Sequence, residues 1–259
     1  MKACAVAILT VLLVGCSRAP VPGGPVLYEG ARLITPDTVI EDAAFVTEGG
    51  TFKAVGKRGE VALPDGATKV SLQGKTVIPA LIDAHAHLGW AVIKTSAIGK
   101  DTYSQPNLID HLRRAAYFGI SATRNLGTDV GDIAYGIRAQ PAPGAALLRT
   151  AGRGMAMPNA GPGADYWRPV AYGVTNEAEA RAAVRELAAM KADVVKLWVD
   201  DRNKTVKKLT PELRRAIIDE AHKNNMQTIA HIFYLEDAKD LLKAGIDAFA
   251  HGVRDIDID

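Results

Sequence analysis

A chain of 259 residues, 48% hydrophobic and 23% charged, is too apolar for a disordered segment and long enough for one large core or two modest domains. Its net charge of +2 is spread, and the dense basic stretch Lys204 to Lys208 follows directly on Asp200 and Asp201, so there is no electrostatic footprint for nucleic acid. Both cysteines, Cys4 and Cys16, stand at the N-terminal end, which excludes a disulfide framework for the rest of the chain.

Residues 1–16 read as a targeting segment: Lys2, then the apolar run Ala3 to Val14, too short to span a bilayer, then Leu13-Val14-Gly15-Cys16 with the small residues of a cleavage site. The pattern resembles a bacterial lipoprotein signal. That resemblance implies acylation of Cys16, a membrane partner through the lipid anchor and a periplasm-facing place in the cell envelope. Ser17 to Pro25, rich in Pro and Gly, is the expected tether.

Residues 26–78 carry short β-like segments, Val26 to Ile34, Thr38 to Thr47, Thr51 to Val55, Thr68 to Leu72 and Lys75 to Ile78, with turns at Glu48-Gly49-Gly50 and Pro64-Asp65-Gly66. A small β-sandwich-like domain is expected there. From Pro79 to Asp259 apolar runs alternate with helical stretches. The runs are Val77 to Ala84, Ile120 to Asn125, Ala145 to Thr150, Asp193 to Val199, Met226 to Ile232 and Ile246 to Ala250. The helices are expected at Pro106 to Phe118, Val130 to Arg138, Asn176 to Met190, Pro211 to Asn224 and Leu235 to Ala244. Strand and helix in alternation argue an α/β fold with a parallel sheet.

His85 and His87 end the first of these strands two residues apart, so both imidazoles face the same way. Neutral imidazoles converging on one point begin a zinc or other transition-metal site. Lys196, His231 and His251 close three later apolar runs in the same manner. Candidate ligands at the C-terminal ends of several strands favour a (β/α)8 TIM-type barrel, incomplete with about six strands present, over an open doubly wound sheet with a single crevice.

These motifs, Gly74-Lys-Thr-Val-Ile-Pro-Ala-Leu-Ile-Asp-Ala-His-Ala-His-Leu88, Ala192 to Asp201, Thr228-Ile-Ala-His231 and Ala248-Phe-Ala-His-Gly252, resemble the amidohydrolase superfamily, in its imidazolonepropionase-like and prolidase-like branch. The resemblance implies that His85 and His87 bind one divalent ion and His231 and His251 a second, zinc by default. Lys196, carboxylated by carbon dioxide, would bridge them, and a hydroxide between the ions would attack an amide-type carbon-nitrogen bond in a dipeptide or cyclic amide. A homo-oligomer is also in keeping with it. The family's catalytic aspartate, at the end of an eighth strand, is expected beyond residue 259, so this chain reads as the N-terminal portion of a longer enzyme.

Arg202 and Arg254, each soon after a ligand, could grip a substrate carboxylate, and Tyr234 could donate to a developing oxyanion. The glycine-rich stretch Gly152 to Gly163 is expected as a loop over the substrate, and it lacks the ending of a phosphate loop. His111, His222 and the terminal Asp255, Asp257 and Asp259 are expected to be solvated. Two other functions fit the same residues: a lactone or ester hydrolase, and a noncatalytic metal-binding lipoprotein.

Overall fold

The computed structural model describes residues 24–258, and Cys16 with the expected signal and most of the tether lies outside them. The chain divides into two compact units between Pro79 and Ala80. No helix among the described residues is long and apolar enough to cross a membrane.

The first unit holds one five-stranded sheet. Strands β1 (Val26–Ile34), β2 (Val39–Glu48) and β3 (Thr51–Lys57) run antiparallel, and β4 (Thr68–Ser71) and β5 (Thr76–Val77) pair parallel to β1. Gly49 and Gly50 both have positive φ, 58° and 75°, the conformation a two-residue hairpin needs to match strand twist. The expected sandwich-like pair of sheets is instead a single sheet with apolar side chains on both faces. Ala44 and Val46 pack with Leu27 on one face, and Ala43 and Phe45 with Leu33 on the other. Register shifts in β1 between Glu29 and Leu33 carry that strand's apolar side chains from one face to the other.

The second unit opens with β6 (Leu81–Ala86), followed by a hairpin of β7 (Ala91–Val92) and β8 (Ala97–Ile98). Then come α1 (Gln105–Tyr117), β9 (Ile120–Asn125), α2 (Ile133–Ala139) and β10 (Leu147–Thr150). The short β11 (Met155–Ala156) and β12 (Tyr172–Gly173) precede α3 (Glu177–Ala189) and β13 (Val195–Val199). Last are α4 (Pro211–Lys223), β14 (Thr228–Ile232), α5 (Leu235–Ala244) and β15 (Ala248–Phe249). Pairing is parallel in the orders β10-β9-β6 and β12-β11-β13-β14-β15. A backbone bond from Asp193 N to Thr150 O, 2.8 Å, joins the two runs. Parallel strands connected through helices bury both sheet faces, and all five residues of β13 are accordingly buried.

Caps fix the helix starts near the expected residues: the Asn176 side chain accepts from Glu179 N at 3.0 Å, and Pro211 stands in the first turn of α4 behind Thr210. The core of this unit gathers α3, α4 and α5 on β13 and β14, with Val184, Leu187, Leu197, Leu213 and Ile217 buried in it. The expected glycine-rich loop is shorter than its sequence suggests. Met155 and Ala156 add a strand, with Met155 beside Leu197, and Gly154 just before them leaves room for the Trp198 ring.

A candidate metal centre

β6, β13, β14 and β15 carry their histidines and lysine to one end of the sheet. Ring centroids run His87 to His85 at 5.1 Å, His85 to His251 at 5.8 Å and His251 to His231 at 4.4 Å, so four of the six histidines form one arc. His85 Nδ1 donates to the carbonyl of Ala250 at 3.2 Å, which shows that the sheet curls until its first and last strands come within hydrogen-bond reach. Because a carbonyl only accepts, this bond leaves a lone pair on His85 Nε2.

That lone pair meets His87 Nε2 at 3.2 Å. Two nitrogens bound to one zinc at 2.0 to 2.1 Å and a tetrahedral angle stand about 3.3 Å apart, so the pair has the spacing of co-ligands. His87 Nδ1 lies 3.1 Å from Thr128 Oγ1, a hydroxyl that can accept its proton and so free Nε2 as a second lone pair. In the other pair His231 donates Nε2–H to Asp200 at 3.1 Å, which turns Nδ1 toward His251 Nε2 at 2.6 Å. Arg254 donates to His251 Nδ1 at 2.6 Å, so His251 Nε2 carries the proton in this contact and would release it on ligation. Among the described residues no three His, Cys, Asp or Glu side chains gather as a ready ion-holding group. Each imidazole pair lacks an anionic donor between them.

Lys196 lies among these rings, fully buried, and its Nζ has no hydrogen-bond partner among the described residues. The Trp198 ring lies 5.7 Å away, a cation–π contact. Burial lowers the amine from 10.5 to about 7. Burial likewise holds His87 down to about 3 and His231 and His251 down to about 4, and it lowers His85; Lys196 adds repulsion at all four. Asp200 opposes the shift at His231 without overcoming desolvation. All four imidazoles are therefore neutral near pH 7, the form that ligates. Space for the lysine stem comes from Gly127 and Gly154. A Cβ on Gly127 would stand 2.9 Å from Lys196 Cγ, and one on Gly154 2.1 Å from Trp198 Cζ3. A buried amine near neutrality with no partner fits a carboxylated, anionic bridge between the two imidazole pairs, and the donor set fits two divalent ions.

The remaining candidates sit around this centre. Arg202 follows β13 in a run with positive φ at Arg202, Asn203 and Lys204, donates to Gly161 O at 2.6 Å, and lines a cavity with Asp200, His231 and Arg254. Its backbone N–H donates to Asp200. Tyr234 donates to Asp201 at 2.7 Å, a bond that raises its pKa to about 12. His111, expected as solvated, is instead a bridge: Gly89 N donates to Nδ1 and Nε2 donates to Ala91 O, pinning the segment after His87. Asp255 accepts from Leu235 N at the start of α5, and His222 pairs with Asp247 at the surface. Sequence reasoning missed Asn125, Thr128 and Asp129. Buried Asp129 accepts from Tyr103, Asn125 and Thr150, while Asn125 Oδ1 accepts from Leu88 N beside His87. Desolvation raises the Asp129 pKa, and its three donors oppose that shift.

No family model matches the sequence. Over 50 residues the chain is 42% identical to imidazolonepropionase of Pseudomonas syringae pv. tomato, a stretch covering 19% of this chain and 12% of that protein. Over 63 residues it is 41% identical to dihydroorotase of Trichlorobacter lovleyi, covering 24% of this chain and 14% of that one. Among solved structures, a Xaa-Pro dipeptidase with methionine bound in its active site superposes with TM-score 0.72 at 23% identity, over 88% of this chain and 62% of that one. A prolidase from Bifidobacterium longum gives 0.73 at 24%, over 89% and 55%. The chain thus spans less than two thirds of these proteins. Short stretches of the sequence are thus similar to imidazolonepropionase and dihydroorotase, and the α/β fold is similar to that of the prolidases.

Proposed function

We propose that the protein is a metal-dependent hydrolase of an amide-type carbon-nitrogen bond in a dipeptide or cyclic amide. The supporting observation is the partnerless buried amine of Lys196 between two pairs of neutral imidazoles. His85 and His87 would hold one divalent ion and His231 and His251 a second, with Lys196, once carboxylated, as the anionic donor for both. In that modification the neutral amine attacks carbon dioxide, an N–C bond forms, a C=O π pair moves onto oxygen, and the amine proton leaves to solvent. When bound, the ions, zinc by default, would polarise a carbonyl and acidify a water between them. Asp200 orients His231, Thr128 orients His87, and the Ala250 carbonyl orients His85, so these three imidazoles present their ligating nitrogens without a search. Arg202 and Arg254 offer guanidinium groups to a substrate carboxylate from the open side of the centre.

The curled parallel sheet supports a (β/α)8-type barrel. The N-terminal pattern supports a periplasm-facing lipoprotein anchored through Cys16, and association into a homo-oligomer belongs to the same proposal. Metal analysis of the full chain and of Lys196→Ala, with and without bicarbonate, tests the bridge. Two ions falling to one or none in the variant supports it, and equal loading overturns it. Rates on amide and lactone panels decide between the amide reading and the ester one, and absence of turnover on both leaves a metal-binding lipoprotein.

A further inference from the structure

Beside the ion centre lies a cavity of about 480 Å³ that the metal chemistry does not use, lined by Trp90, Tyr103, Tyr166, Ile133, Val170 and Arg153 among others. Its walls continue the site. Trp167 packs 5.3 Å from His87 on one side and 6.1 Å from Trp90 on the other, and the backbone of Arg153 bridges that of Thr128, the residue holding His87. The aromatic wall is fixed: Trp90 is buried and donates Nε1–H to Thr128 O at 3.1 Å, and Tyr103 donates to Asp129 at 2.8 Å. The Trp90 ring is 5.2 Å from that of Tyr103 and 6.2 Å from that of Tyr166. Rigid aromatic faces around unfilled space suit a flat apolar group.

The charge in this cavity is one-sided. Arg153 is the only ionisable lining residue other than the two tyrosines. It donates Nε–H to Val170 O at 2.7 Å and Nη2–H to Ala171 O at 3.3 Å, and it stacks 4.1 Å over Tyr172. These bonds hold the guanidinium still but neutralise nothing, and no ion pair to Arg153 forms among the described residues. Asp129 and Glu186 line a smaller neighbouring cavity with Arg153, but Asp129 is spent on three hydroxyl and amide donors and Glu186 accepts from Tyr172. A cationic ligand would face Arg153 unscreened, whereas a carboxylate would find a positioned donor with Nη1 still free.

We infer that this cavity binds the aryl or cycloalkyl portion of the substrate, and that this portion carries a carboxylate which Arg153 receives. The inference rests on the hydrolase reading for the word substrate, but the binding itself needs no ions. The test is therefore done on the ion-stripped full chain, by ligand-observed NMR titration with 3-phenylpropionate, 3-phenylpropan-1-ol, 3-phenylpropylamine and acetate. Saturable binding of 3-phenylpropionate is expected, at least 10-fold tighter than the alcohol, with the amine and acetate weaker still. Arg153→Met should weaken 3-phenylpropionate by 10-fold or more and leave the alcohol unchanged; Arg153→Lys, which keeps the charge, should recover part of the loss. Tyr166→Leu should weaken both aryl probes, and Arg215→Met, on the exposed face of α4, neither. Equal affinity for acid and amine, acetate binding as well as 3-phenylpropionate, or an Arg153→Met chain of native circular dichroism with undiminished binding would overturn the inference. Failure of metal uptake would strike the hydrolase reading alone.

Discussion

Replacing Lys196 by methionine should make the ion-free protein more stable. The amine is buried, partnerless and held at about 7 by desolvation, against 10.5 for an exposed lysine. Between those two values the unfolded chain binds the proton that the native chain sheds, so stability rises as pH rises through that window and falls as pH drops toward 7. At about 1.36 kcal/mol per pH unit, the native state at pH 7 is about 4 kcal/mol worse off than a chain with no titrating group at this position. By pH 9.5 the same linkage leaves about 1 kcal/mol. Methionine fills the space of the stem and asks for no partner. Urea unfolding of the ion-stripped full chain and of Lys196→Met, followed at both pH values, should show the variant ahead at pH 7 and the gap narrowing by about 3 kcal/mol at pH 9.5. Equal stabilities, or a gap indifferent to pH, would refute the reasoning. Zinc with bicarbonate should reverse the order, since only the lysine can become a ligand.

Asp200→Ala removes the acceptor that orients His231, and chelator competition should show the second zinc bound about 10- to 100-fold more weakly while the first is unchanged. Thr128→Val should do the same to the ion at His85 and His87, and loss of the opposite ion would contradict the pairing. Gly154→Ala drives a methyl into the Trp198 ring and should cost about 1 to 3 kcal/mol, read as a lower denaturation midpoint; an unchanged midpoint counts against the packing described. Asp193 accepts from Arg138, Arg149 and Thr150 N where the two runs of strands join, so Asp193→Ala should destabilise by about 2 to 3 kcal/mol, and a loss below about 0.5 kcal/mol would mean that the join carries no load.

Much of this architecture is legible in the sequence because burial imposes periodicity. Val194 to Val199 is a continuous apolar run because β13 is covered on both faces, and Lys196 stands out within it for the same reason. The His-x-His spacing reads directly as a shared face. Less legible are features set by contacts far apart in the chain. The two-residue strands β11 and β12 have no pattern of their own and exist through their neighbours. Asn125, Thr128 and Asp129 look like ordinary loop polars until Leu88, His87 and Thr150 are seen to bond them. His111 sits on a helix whose pattern gives no hint that its ring reaches Gly89 and Ala91. A clue was available in Trp90, since a large aromatic three residues past a ligand is an economical wall for a cavity. How the strands of the first unit pair, with apolar side chains on both faces, depends on register shifts that alternation alone does not reveal.

The hydrogen bond from His85 to the Ala250 carbonyl joins positions 165 apart in sequence. Ions seated on the rings at either end of that span would act as a clasp, shutting a very long loop of backbone and removing from the denatured ensemble the conformations in which its ends drift apart. Loading and folding would then reinforce one another. The emptied protein should fray first at the last strand, where the fastening is undone.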